Sequence, residues 1–219
     1  MQLPLKKVVI IGPESTGKST LCTQLAQHYH TQRCPEFARE YLLKNGTNYS
    51  FDDLLTIAKG QLKLEEEYVL STANRQPSTV DRQQLADDRQ LFIGNSQLHV
   101  SDYNLSTTPG RRSTVDRQLL FLDTDMYVMK VWCEFVFGQC HAFILDQIAE
   151  RQYDLYLLCK PDLPWVKDEL REYPDIENRE KLYHIYKDLL INQQTPWAEI
   201  SGRYNDRLTQ AIAAVERIF

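Results

Sequence analysis

The chain has 219 residues, 42% of them hydrophobic and 25% charged, a balance that fits one α/β domain with a real core and excludes a mainly disordered chain, a collagen or a coiled coil. The net charge is −5, so a broad basic face for nucleic acid is not expected, and no apolar run approaches the ~18 residues of a membrane span. The first residues, MQLPLKKVVIIG, lack the long apolar stretch and small-residue cleavage site of a secretory signal.

In chain order, KKVVII at 6–11 is a β-branched run ending in Gly12, which predicts a buried strand. A glycine turn follows. Leu21, Cys22, Leu25, Ala26 and Tyr29 then recur at helical spacing. Cys34 and Phe37 flank Pro35, so a second strand should end near Glu36. A helix is expected over 38–44, stopping at Asn45-Gly46, and another starts at 51–53 with an apolar face through Leu54, Ile57, Ala58, Leu62 and Tyr68. The stretch 71–118 is rich in Ser, Thr, Gln and Arg and holds STVDRQ twice, at 78–83 and 113–118. It reads as an inserted flexible loop within a single domain spanning 1–219.

Order should return at Leu119-Leu120-Phe121-Leu122-Asp123, an apolar run ending in an acid, as a central parallel strand does. Helices are expected over 126–138 and 141–151 and a strand over 153–159. A proline-rich, charged, lid-like segment occupies 160–180. A helical face follows at Leu182–Leu190, then a short strand at 197–200 and a last helix through Leu208 and Val215. Alternating strands and helices predict an α/β three-layer sandwich with a mainly parallel sheet. The cysteines, Cys22, Cys34, Cys133, Cys140 and Cys159, are scattered and form no C-x-x-C. Buried small hydrophobes in a reducing cytoplasm are expected, with neither a disulfide scaffold nor a zinc site.

Gly12-Pro13-Glu14-Ser15-Thr16-Gly17-Lys18-Ser19 matches G-x-x-x-x-G-K-[ST], the P-loop. Glycines let the backbone curl so that N–H groups face phosphate oxygens, and the following helix adds its positive end. Lys18 is expected on the β/γ-phosphates of ATP, with the loop residues and Thr20 around them and the Ser19 hydroxyl on Mg²⁺. Asp123, at a strand end that should open onto the same crevice, is the expected acidic Mg²⁺ partner, a helix N-cap being the alternative. Asp125 lies two residues on.

These segments together, GPESTGKST, PEFARE at 35–40 and FLDTDMYVMKVWCEFVFG at 121–138, with PWVKDELR at 164–171 and SGRYNDR at 201–207, resemble the ribosylnicotinamide kinase domain of NadR proteins over about 6–70 and 119–219. The resemblance implies a P-loop kinase fold of the nucleoside and nucleotide kinase type. It also implies phosphorylation of nicotinamide riboside by ATP with Mg²⁺, in NAD salvage. The stretch 71–118 stands outside the family pattern, Glu169 stands where the family more often has glycine, and no H-x-G-H pair of a nucleotidyltransferase half is present.

Nucleoside kinases of this build keep an acid at the end of the second strand, and the resemblance carries the role of catalytic base to Glu36, with Asp125 as second choice. A salt bridge from Glu36 to Arg39 or Lys44 is the alternative reading. Arg171 and Arg179 are expected as lid arginines over the transferred phosphoryl group. Trp132, Tyr127 and Phe135, at helical spacing, are candidates to face a pyridinium ring, with Trp165 as a second stacking candidate. Core packing is the competing role for the aromatic stripe. The loop at Gly202–Arg203 is where adenine would sit in this fold class. A kinase of another nucleoside, or a nucleotide-dependent switch, would carry the same P-loop.

Overall fold

The computed structural model describes residues 4–74, 118–170 and 174–219. Five strands alternate with helices among them: β1 (Lys6–Ile11), α1 (Lys18–His28), β2 (Gln32–Cys34), α2 (Phe37–Asn45), α3 (Phe51–Ala73), β3 (Leu119–Leu122), α4 (Met126–Phe137), α5 (Ala142–Glu150), β4 (Leu155–Cys159), α6 (Ile176–Ile191), β5 (Trp197–Ile200) and α7 (Tyr204–Glu216). The strands pair in the order β2-β3-β1-β4-β5, every pair parallel, with Val8 opposite Phe121 on one side and Leu155 on the other. The sandwich and parallel sheet expected from the alternation are therefore present.

The three inner strands are apolar on both faces because helices cover both faces. Val8, Ile10, Phe121 and Leu157 pack with Leu21, Leu25 and Val215 beneath α1 and α7. Val9, Ile11, Leu122 and Leu158 pack on the other face with Val131, Leu182 and Leu190 of α4 and α6. Outside that face, α2, α3, α4 and α5 share a further cluster around Leu54, Ile57, Met129 and Ile144. No described helix is long and apolar enough to cross a membrane.

Most boundaries fall where the pattern puts them, and three shift for local reasons. Helix α3 starts with a capping box, Ser50 and Asp53 exchanging hydrogen bonds, and runs on to Ala73. It therefore enters the stretch read as an insertion, its end tied down by Ser71 and Thr72 hydroxyls donating to Gln32 Oε1 at 2.7 and 2.9 Å. The rest of 71–118, with both copies of STVDRQ apart from Gln118, lies outside the described residues. Strand β4 begins at Leu155, and Tyr153 precedes it. Helix α6 begins at Ile176, where Asp175 caps it by accepting from the Asn178 amide at 2.8 Å. Arg179 thus sits in a helical first turn and not in a loop. Four cysteines are buried, Cys140 is half-buried, and all five are free.

Candidate active site

The P-loop takes its shape from positions where the backbone leaves ordinary space. Gly12 has φ +139°, and a Cβ there would stand 2.6 Å from the Cys159 carbonyl oxygen of β4, so only glycine lets the strand end turn. Gly17 has φ +77° and turns the chain into α1. No side chain caps that helix, so its first amides are open to an anion. Inside the turn, Thr16 Oγ1 and Lys18 Nζ both donate to the Pro13 carbonyl, at 2.8 and 2.7 Å. Every loop residue from 12 to 20, and so each predicted member from Gly12 to Thr20, lines one cavity of about 250 Å³.

The acids near this cavity divide into two groups. Asp123 follows β3 and is buried, and it accepts from the Ser19 hydroxyl. Burial pushes its carboxyl up, with Ser19, Lys18 and Arg33 pulling back. Its Oδ1 is buried and has no hydrogen-bond partner among the described residues. A buried carboxylate oxygen without a donor, beside a serine hydroxyl, is an all-oxygen donor set that suits a hard cation such as Mg²⁺. Strand β2 ends at Cys34, two residues before Glu36, which precedes α2 and forms part of the cavity wall. Burial and the Asp123 charge raise its carboxyl to about 7, against the pull of Lys18 and Arg39.

Asp125, the second-choice base, is placed otherwise. Its Oδ1 accepts from the amides of Tyr127 and Val128, capping α4, and its Oδ2 accepts from the Tyr156 hydroxyl at 2.8 Å. It lines a separate cavity with Arg151, Tyr153 and Gln193 and does not reach the P-loop cavity. Asp125, and not Asp123, is thus the helix cap. The reason is the turn between them, where Thr124 has φ +135° and sends the two carboxylates to different sides.

Arg179 also departs from expectation. Its guanidinium is buried and donates to the carbonyls of Ser15 at 3.3 Å and Leu163 at 3.1 Å, on the outer side of the P-loop. Arg171 lies outside the described residues. The lid-like segment reaches the site through other groups. The Val166 amide donates to Ser15 Oγ at 2.9 Å, and Asp168 takes a two-pronged ion pair from Arg39, at 3.1 and 3.3 Å. Both Arg39 and Asp168 line the cavity.

The far wall is aromatic and aliphatic. Trp132 and Phe135 line it, joined by Tyr186, Leu42 and Val131; Tyr127 and Trp165 do not. Trp132 is fixed by donating its Nε1 hydrogen to the Tyr49 hydroxyl at 2.9 Å, with the two rings edge to face. Three residues escaped the sequence reading. Tyr186 counts only in the apolar face of α6, and Asp168 and Arg207 only within the segments PWVKDELR and SGRYNDR, without a role. The helical period of α6 is a signal for Tyr186. For the other two the resemblance of their segments is the signal, and it does not say what they touch.

The sequence matches a family model described as AAA domain over residues 7–88 and 97–207. That match runs through most of the stretch expected to stand outside the family pattern, leaving only 89–96 between its two parts. The trifunctional NAD biosynthesis/regulator protein NadR of Salmonella typhimurium and that of Escherichia coli are each 21% identical over 215 residues, 98% of this chain and 43% of theirs. The chain thus spans less than half the length of these curated relatives. A crystal structure of a NadR protein in complex with NR superposes with a TM-score of 0.66 at 22% identity, covering 98% of this chain and 49% of that one. A second, of NadR with NAD and AMP-PNP, gives 0.60 at 21% with the same coverage. With its P-loop fold shared with NadR and a family match over most of its length, the chain belongs to the AAA-domain family.

Proposed function

We propose that this chain phosphorylates the 5′-hydroxyl of nicotinamide riboside with ATP, giving nicotinamide mononucleotide and ADP. The observation that carries the reading is the pairing, in one cavity, of a phosphate-binding loop with a carboxylate held near neutrality, Glu36, and an aromatic wall. An ATPase needs the loop and a group that positions water, but no aromatic wall. A nucleoside kinase needs all three. The likeness to a NadR structure with NR bound, at low identity, supports the choice of nucleoside.

Each group has a defined task in that chemistry. The P-loop amides and Lys18 bind the phosphates of ATP and draw charge off the transferred group. Glu36 orients the 5′-hydroxyl and accepts its proton as the oxygen bonds to the γ-phosphorus and the bond to ADP breaks. The faces of Trp132 and Phe135 hold the pyridinium ring, a cation for which aromatic faces are well suited. Ser19 and Asp123 would hold Mg²⁺, which supplies charge neutralisation on the phosphate oxygens when bound. Arg39 and Asp168 keep the lid segment against α2, excluding water that would otherwise take the phosphoryl group.

A coupled ADP-release assay with Mg-ATP tests the reading, with nicotinamide riboside, uridine, adenosine and no acceptor compared. Release that requires nicotinamide riboside is the expected result. Preference for another nucleoside would keep the kinase and change its substrate. Equal release without any acceptor would make the chain a nucleotide-dependent switch.

A further inference from the structure

Two arginines from different helices meet the outer side of the P-loop, and neither faces the cavity. Arg179 of α6 and Arg207 of α7 are 2% and 1% exposed. Arg179 donates to the Ser15 carbonyl and, from the same nitrogen, to Leu163. Arg207 donates Nη1 to the next carbonyl, Thr16, at 3.0 Å. Its remaining donors reach Gly202, Ile200 and Lys160 carbonyls and the Asp162 carboxylate. Asp162 in turn accepts from the Gly202 amide at 2.7 Å.

We propose that Arg179 and Arg207 are positioning residues that preset the phosphate cradle from behind, by holding the Ser15 and Thr16 carbonyls outward so that the Thr16 and Gly17 amides face the phosphates. A trans peptide is planar, so its C=O and the following N–H point in opposite directions. Fixing the Ser15 carbonyl fixes the Thr16 amide, and fixing the Thr16 carbonyl fixes the Gly17 amide. Left alone, a loop with φ +56° at Ser15 and +77° at Gly17 has little reason to hold these planes. Burying a guanidinium is costly unless it is fully bonded. Arg207 meets that cost with backbone carbonyls and the Asp162 carboxylate, its rigid fork spanning several acceptors at once, and Arg179 meets it in part, one Nη nitrogen donating to two carbonyls. Arg207 also ties the cradle to the 200–202 loop after β5, joining the phosphate side of the site to the side where the base would lie.

The proposal rests on the nucleotide reading of the loop but not on the acceptor, so its test uses phosphate probes alone. Tripolyphosphate and Mg-ATP are titrated by calorimetry into the wild type, Arg179→Met, Arg207→Met and the two Lys variants, well below each melting temperature. The amide signals of Thr16 and Gly17 are followed by NMR in the same titrations. The Met variants should lose affinity for both probes in parallel, by about ten- to hundredfold. They should also lose the ligand-induced shift of the amide behind the missing guanidinium. The Lys variants should fall between, since an ammonium ends one bond short of the Nη nitrogens and, at 207, lacks the fork that reaches several carbonyls. Tripolyphosphate affinity within about twofold of wild type in the folded Met variants overturns the proposal. If a Met variant does not fold, its Lys counterpart decides: an unaltered amide response there overturns it. A wild type that binds neither probe overturns the nucleotide reading and the proposal with it, whereas an acceptor other than nicotinamide riboside leaves the proposal standing.

Discussion

Glu36 stands between opposing influences whose balance sets its protonation near the working pH. Burial and Asp123 favour the neutral acid, Lys18 and Arg39 favour the carboxylate, and the outcome is a carboxyl raised to about 7. A general base must be ionised, so kcat/KM should rise with pH and level off above about 7. Glu36→Gln should abolish that limb and lower kcat by ~10²–10⁴, with Mg-ATP affinity nearly unchanged. An unaltered rate would remove the base assignment. Asp125 is raised to the same value by burial, but its bonds are structural. Asp125→Ala removes the cap of α4 and leaves the buried Tyr156 hydroxyl unpaired, which should cost about 1–3 kcal/mol without moving Mg-ATP affinity. The native chain keeps this proton while the unfolded chain loses it near pH 4. The stabilisation is therefore complete below about pH 4 and lost as pH rises to about 7, its folded value. Asp125→Asn should flatten that part of the slope in a melting series across pH. Asp123 and Asp125 stand two residues apart after β3, and the sequence left both near the P-loop crevice. The turn at Thr124 separates their roles, and nothing in a residue string reports it.

The segment read as lid-like shows the same limit one level up. Its charge and proline content announced an irregular segment near the site, and the Asp175 cap explains where it gives way to helix. The sequence did not report which groups it meets. Arg39 and Asp168 meet in a two-pronged ion pair, yet the Arg39 side chain is 52% exposed, so the pair should add little to stability. Its effect should fall on closure. Asp168→Asn should leave the melting temperature nearly unchanged, raise KM for the nucleoside and increase ATP hydrolysis without acceptor, as water gains access. Unchanged values for both kinetic quantities would show that the contact does not serve closure. By contrast β1, the P-loop and α1 were legible throughout, because an apolar run, two glycines at fixed offsets and a helical period each constrain the same short stretch. Arg207 was not, since an arginine on a helix carries no mark of the carbonyls it reaches across the fold.

At the scale of the molecule, the sheet separates its two ends. The P-loop, Glu36 and Asp123 lie beyond the carboxyl ends of β1, β2 and β3, where parallel sheets bind ligands. The described residues on either side of 75–117 lie at the opposite, amino ends of the strands. Ser71 and Thr72 bond to the side chain of Gln32, which pairs in register with Leu120, and the Gln118 carbonyl accepts from the Lys6 amide. Both ends of the stretch are thus fixed beside the first residues of β1 and β2. A short linker should join them without moving a strand. Replacing residues 75–116 with about six Gly and Ser residues removes about three doublings of loop length, favouring the folded chain by about 2 kcal/mol if the stretch contributes nothing else. The shortened chain should melt no lower than the full one and bind Mg-ATP with the same affinity. The family match across most of this stretch makes the experiment a sharp one. A fall in melting temperature would show that the stretch packs on the sheet, and weaker Mg-ATP binding at unchanged melting would show that it reaches the nucleotide.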